Sequence, residues 1–197
     1  MKIPQTLKKS NDGFTLVELM ITIAIAMILM TIAVPSFTLM INNSKITSKT
    51  NEFVSSLNLA RSEALKRSNN VSICKSKADF SACEASADDS FSSKGWLVYS
   101  DCNSNGILDT TVAAAGCTDG SVDVRIKAGE SDSKVKIGYL ADYLTYNLSG
   151  RIAGGGTPSF IVEIIPSNTD VKKNKVTISR IGRVRSCKVD SLNNCVN

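Results

Sequence analysis

Three groups of side chains in this sequence have types and spacing suited to chemistry. Arg180, Gly182-Arg183 and Arg185 read R-x-G-R-x-R, with Lys172, Lys173, Lys175 and Lys188 nearby. Guanidiniums fork onto phosphate oxygens and clustered cations gain from counterion release, so this segment suits a DNA backbone, contacted without sequence readout. A charged strand edge that blocks aggregation, or contact with acidic neighbouring subunits, would use the same residues. Second, Asp101, Asn103, Asn105, Gly106 and Asp109 fit the first nine positions of a calcium loop, D-x-N-x-N-G-x-x-D. Position twelve is Val112, where a bidentate Glu is wanted, and Asp and Asn are also ordinary turn formers. Third, Glu18 is an acid at the head of a long apolar run. A carboxylate held in lipid costs several kcal/mol unless paired, which makes it a functional candidate. The chain has no His, which removes the commonest general base and metal ligand. No nucleophile–base pair or phosphate loop is visible, so we expect neither an enzyme nor a cofactor.

The element that must carry Glu18 is a helix. From Leu19 to Ser44 there is no charged side chain, and most residues are Ile, Met, Leu, Ala, Val or Thr. That run is long enough to span a bilayer. A short leader with Lys2, Lys8 and Lys9 precedes it and favours a cytoplasmic N-terminus, with the bulk of the chain on the other side. No small-residue cleavage site closes the run, unlike a secretory signal peptide. Pro35 should kink or loosen the helix. Helical spacing then continues through Ile46, Thr50, Phe53, Leu57, Ala60 and Ala64, with Lys49, Glu52, Ser56, Glu63 and Arg67 largely on the other side. Asn69-Asn70 marks the expected end. A continuous helix from Phe14 to Ser68 would be on the order of 80 Å long.

The remaining sites need a sheet. Short runs rich in Val, Ile, Tyr and Phe occur at 71–74, 95–100, 122–127, 134–140, 144–148, 160–165 and 175–181, separated by turn signals such as Asn105-Gly106 and Gly154-Gly155-Gly156. One helix followed by many antiparallel strands is an α+β layout. Residues 171–197 hold seven basic side chains and one acid, whereas the whole chain is only +5. The basic end therefore points to an anionic partner. Six cysteines, none in a C-x-x-C pair, suit disulfides in an oxidising compartment. Short separations favour Cys74–Cys83, Cys102–Cys117 and Cys187–Cys195 among the fifteen connectivities.

Residues 13–19, GFTLVEL, resemble the type IV pilin and pseudopilin signature. That resemblance implies cleavage by prepilin peptidase after Gly13, N-methylation of Phe14, and use of Glu18 as the assembly carboxylate. Its partner would be the positive N-terminus of an adjacent subunit. The segment GWLVYSDCNSNGILD (95–109), Tyr146–Arg151 and the terminal VTISRIGRVR look like the GspH/FimT family. That family comprises minor pilins and a minor pseudopilin of type II secretion. The G-R-x-R at 182–185 resembles the motif with which FimT-type minor pilins contact DNA during natural transformation. The resemblance implies a pilin-like α+β fold: a leader (1–13), a membrane and assembly half-helix (14–44), and a globular part (45–197) of antiparallel sheet with the amphipathic half-helix packed on it. It further implies an inner-membrane, single-pass protein with a periplasmic domain, incorporated with other pilin subunits into a pilus. The alternative is a pseudopilus of type II secretion.

Overall fold

The computed structural model describes residues 13–84, 90–111, 122–139, 141–165, 171–190 and 192–196. Helix α1 runs Leu16–Arg67. Thr15 caps it, its Oγ1 accepting the Glu18 N–H at 3.2 Å, so Thr15-x-x-Glu18 is half of a capping box. Glu18 in the first turn and Lys66 and Arg67 in the last complement the helix dipole. The helix ends where Ser68 takes φ 48° and Asn69 N–H bonds back to the Ala64 carbonyl at 3.3 Å, a Schellman closure.

The chain divides into two compact units, Met1–Met40 and Ile41–Asn197. In the first, the described residues from Leu16 onward are helix with its large apolar side chains mostly exposed, Ile32 at 71% and Met40 at 67% for example. This helix is long and apolar enough to cross a membrane. Its hydroxyls are satisfied locally: Thr22, Thr31 and Thr38 donate to the Leu19, Ile28 and Pro35 carbonyls at 2.7–2.8 Å. The helix runs through Pro35 without interruption.

In the second unit α1 buries Ile46, Thr50, Phe53, Leu57, Ala60 and Ala64, the stripe its periodicity predicts. Ser56, expected outside, is buried as well. It is small enough to fit, and its hydroxyl is satisfied by the Glu52 carbonyl at 3.0 Å. The strands are β1 (Val71–Lys75), β2 (Trp96–Ser100), β3 (Arg125–Gly129), β4 (Val135–Gly138), β5 (Tyr143–Tyr146), β6 (Ser159–Ile164), β7 (Lys173–Ile178), β8 (Val184–Val189) and β9 (Cys195–Val196). They form two antiparallel sheets, β3-β2-β1-β5 and β4-β6-β7-β8-β9. The chain alternates between sheets from β3 to β6, and Phe53 joins them on the helix side. Its ring meets Trp96 of β2 at 5.3 Å and Phe160 of β6 at 4.9 Å. The α+β layout read from the sequence is therefore the observed one.

The two sheets differ in burial for a simple reason. β1 and β2 are buried at every residue because the helix covers one face and the loop around Phe80 and Cys83 covers the other. β6 alternates, with Phe160, Val162 and Ile164 facing inward and the residues between them outward. The second sheet thus leaves one face to solvent, and the basic segment lies there.

Candidate functional site

β7 and β8 pair in the register Lys173↔Val189, Lys175↔Cys187 and Thr177↔Arg185. Directly opposed residues share a face, and Val176 and Ile178 mark the inner one. Lys173, Lys175 and Arg185 therefore stand on the outer face. Lys188 opposes Asn174, whose amide donates to Thr50 Oγ1 of α1 at 3.0 Å, so Lys188 belongs to the helix side. Lys172 is exposed just before β7. Arg185 belongs to β8, whereas Arg183 lies just before it. Arg183 closes a turn in which Ser179 N–H bonds the Arg183 carbonyl at 2.9 Å and Gly182 N–H bonds the Ser179 carbonyl at 2.8 Å. Arg183 and Arg185 nonetheless line one cleft of about 420 Å³ with Thr157, Thr177, Ser179 and Ile181.

Lys173 pairs with Glu163 at 2.5 Å, and Lys175 Nζ donates to the Asn193 carbonyl at 3.2 Å. Arg180, Arg183, Arg185, Lys172 and Lys188 are exposed and have no carboxylate within 4.0 Å among the described residues. Their charge is not neutralised within the described chain; Arg185 with the flanking Arg180, Arg183 and Lys172 leaves the outer face cationic, while Lys188 adds its charge on the helix side.

The structure adds one residue that the sequence reading passed over. Arg61 of α1 reaches this region and donates to the Gly150 and Ile181 carbonyls at 3.1 and 2.8 Å. The signal was available: Arg61 lies four residues after Leu57 and three before Ala64, at the border of the buried stripe.

The Asp101–Asp109 loop is closed on its own backbone. Asp101 Oδ2 accepts from Ser72 Oγ at 2.6 Å and from Gly106 N–H at 3.1 Å. Asn103 and Asn105 turn their oxygens onto the amides two residues on, as Asx turns do, and Asn105 Nδ2 donates to Asp109 Oδ2 at 2.8 Å. A third buried carboxylate, Asp123, accepts from Cys102 and Asp109 N–H. Burial pushes its pKa up, the two amide bonds oppose that, and the charges of Asp101 and Asp109 add to the rise. Among the described residues no group of three acidic, His or Cys side chains that could hold a metal is present, and the Asn103 and Asn105 amide oxygens each accept a backbone N–H. Val112 lies outside the described residues.

Cys74–Cys83 and Cys187–Cys195 are bonded. Cys102 is disulfide-bonded too, and its expected partner Cys117 lies outside the described residues. At the other end, residues 1–12 also lie outside them, whereas Gly13 has open space on every side and Phe14 is 82% exposed. Glu18 is exposed on the helix two residues after its start.

The N-terminal segment matches the prokaryotic N-terminal methylation motif over residues 8–34. The fold resembles that of the type IV minor pilin FimU of Pseudomonas aeruginosa (19% identity, TM-score 0.50, covering 72% of this chain and 87% of that one). A second crystal form of FimU gives 19% identity and a TM-score of 0.49 over 71% and 90% of the two chains. The minor pseudopilin EpsH of Vibrio cholerae gives 13% and 0.42 over 75% and 98%. No curated protein sequence matches this chain. The family model described as type II transport protein GspH matches residues 49–182, more than half of the sequence and the globular unit from α1 through β7, so the chain belongs to the GspH family of pilin-like proteins.

Proposed function

We propose that this protein is a non-catalytic minor pilin. In this reading it is cut after Gly13, methylated on Phe14, anchored in the inner membrane by the apolar part of α1 and assembled with other pilin subunits. Its globular part lies in the periplasm and offers the outer face of the second sheet to DNA during uptake. The methylation motif and the fully apolar helix beyond it support the assembly part.

One observation carries the DNA part. Arg183 and Arg185 line a single solvent-open cleft, and neither is neutralised by a carboxylate among the described residues. Guanidiniums without a carboxylate partner, on an exposed strand and turn, favour phosphates through charge-assisted bonds and counterion release. Among the described residues no helix stands out from this face to enter a groove, so the affinity belongs to the backbone and is independent of base sequence.

The test is the full chain in detergent with Arg183→Glu and Arg185→Glu combined. Binding to duplexes of any sequence should fall, and the dependence on salt should flatten by about 2 in log–log slope. Unchanged affinity at low salt removes DNA contact. Deleting the gene separates the two filament types: loss of transformation or twitching supports the pilus, and loss of an exoprotein from the medium supports type II secretion instead.

A further inference from the structure

The turn bearing Arg180 and Arg183 is held from outside by two other parts of the chain. Arg61 donates Nη2–H to the Ile181 carbonyl at 2.8 Å and Nε–H to the Gly150 carbonyl at 3.1 Å. Gly150 itself sits at φ 66° in a loop closed by Asn147, whose carbonyl takes the Gly150 N–H at 2.8 Å and whose Oδ1 takes the Arg151 N–H at 3.0 Å. Gly182 completes the junction. It has φ 79°, and a Cβ there would overlap the Gly150 carbonyl oxygen, so only glycine lets the two loops lie together. One guanidinium thus joins segments separated by 89 and 120 residues.

The residue type fits that task. A guanidinium presents several N–H donors in a fixed plane, and two can reach different carbonyls at once; an ammonium is a single point charge on a flexible stem. Arg61 is half-buried at the edge of the apolar stripe and has no carboxylate within 4.0 Å among the described residues. Its described hydrogen bonds go to the two loops.

We propose that Arg61 is the positioning residue of the basic face, fixing Arg180 and Arg183 relative to Arg185 on β8. The three cations then meet a phosphate backbone as a preset row, and the entropy of ordering the turn is not lost again on binding. Arg61 acts through the turn and does not touch the DNA. The inference rests on the reading of this face as a DNA-contact surface and supplies the residue that sets its geometry.

The experiment compares Arg61→Gln, Arg61→Lys and Gly182→Ala in the full chain in detergent, each checked for an intact cooperative melt. Two quantities are read: affinity for a mixed-sequence duplex at low salt, and amide hydrogen exchange. All three variants should bind on the order of tenfold more weakly, with the salt slope reduced by about 1. Exchange should rise at Gly182 and Arg183 while Val176 in β7 stays protected. Arg61→Lys is decisive because it keeps the charge; wild-type affinity in that variant overturns the proposal. Wild-type affinity in Gly182→Ala overturns it as well. Arg183→Glu with Arg185→Glu runs beside them. Should that pair leave affinity unchanged, the DNA reading fails and the exchange data decide on the clamp alone. Unaltered exchange in Arg61→Gln then refutes it, and faster exchange confined to the turn supports it.

Discussion

Trp96 and Gly129 face each other across β2 and β3, and the indole occupies the space that any side chain on Gly129 would need. The indole has nowhere to go. It is fully buried, with Phe53 edge-on at 5.3 Å and Lys49 Nζ 5.9 Å from its centroid. A missing side chain on one strand is thus filled by the largest side chain of the next, which fixes β3 on β2 at its Gly129 end.

Gly129→Ala should therefore destabilise the globular unit by about 1–3 kcal/mol through overpacking, without changing the fold. Denaturant unfolding followed by tryptophan fluorescence measures this directly, because Trp96 is the chain's single tryptophan. An unaltered midpoint would mean that the indole is free to shift.

Asp123 gives the fold a pH signature. Its pKa is raised above the ordinary carboxylate value of 3.8, with burial as the largest cause. A raised carboxyl holds its proton more tightly folded than unfolded. Its contribution to stability is greatest in acid and is lost as pH climbs from 3.8 through the raised value. Asp123→Asn should flatten that part of the stability–pH curve. Carbon NMR of the carboxyl gives the sign independently: a midpoint at or below the ordinary value contradicts the assignment.

The sequence made the helix and most strands legible because their signals are periodic and local. Ile46 through Ala64 recur at helical spacing and bury as a stripe. Phe160, Val162 and Ile164 alternate and face inward. β8 left no such trace, since Val184-Arg-Ser-Cys-Lys-Val189 is largely solvent-exposed and is held by its partner strand rather than by apolar content. The turn at Arg183 is equally hidden, because it depends on Arg61 and Gly150, 122 and 33 positions away. Long-range contacts of that kind have no local signature. The Asn103 and Asn105 loop shows the reverse: its residue pattern is strong locally, and the Asx turns it favours are the ones that form.

The Cys187–Cys195 bond holds β9 on β8, where the ladder pairs among the described residues are Lys188↔Val196 and Val189↔Cys195. Two residue pairs do not keep a terminal strand in place unaided. Replacing both cysteines with Ser should cost about 2 kcal/mol and release β9. Amide exchange at Asn194–Val196 should rise sharply while β6 and β7 remain protected. Equal protection in the double variant would show that the strand stays without the bond.

Glu18 allows helix integrity and assembly to be separated. The cap that starts α1 uses the Glu18 backbone N–H, taken by Thr15 Oγ1, and not its carboxylate. Glu18→Ala therefore keeps the cap and loses only the dipole interaction, about 0.3–1 kcal/mol at a helix end that is already long and apolar. Membrane insertion and cleavage after Gly13 should continue at normal levels. In the proposed filament, where the acid neutralises a neighbour's amino terminus within lipid, incorporation should collapse. Immunoblots of the sheared filament fraction against the membrane fraction read the two effects separately. If the Ala variant reaches filaments at the wild-type level, the carboxylate serves the helix end alone and the pairing between subunits must be sought elsewhere.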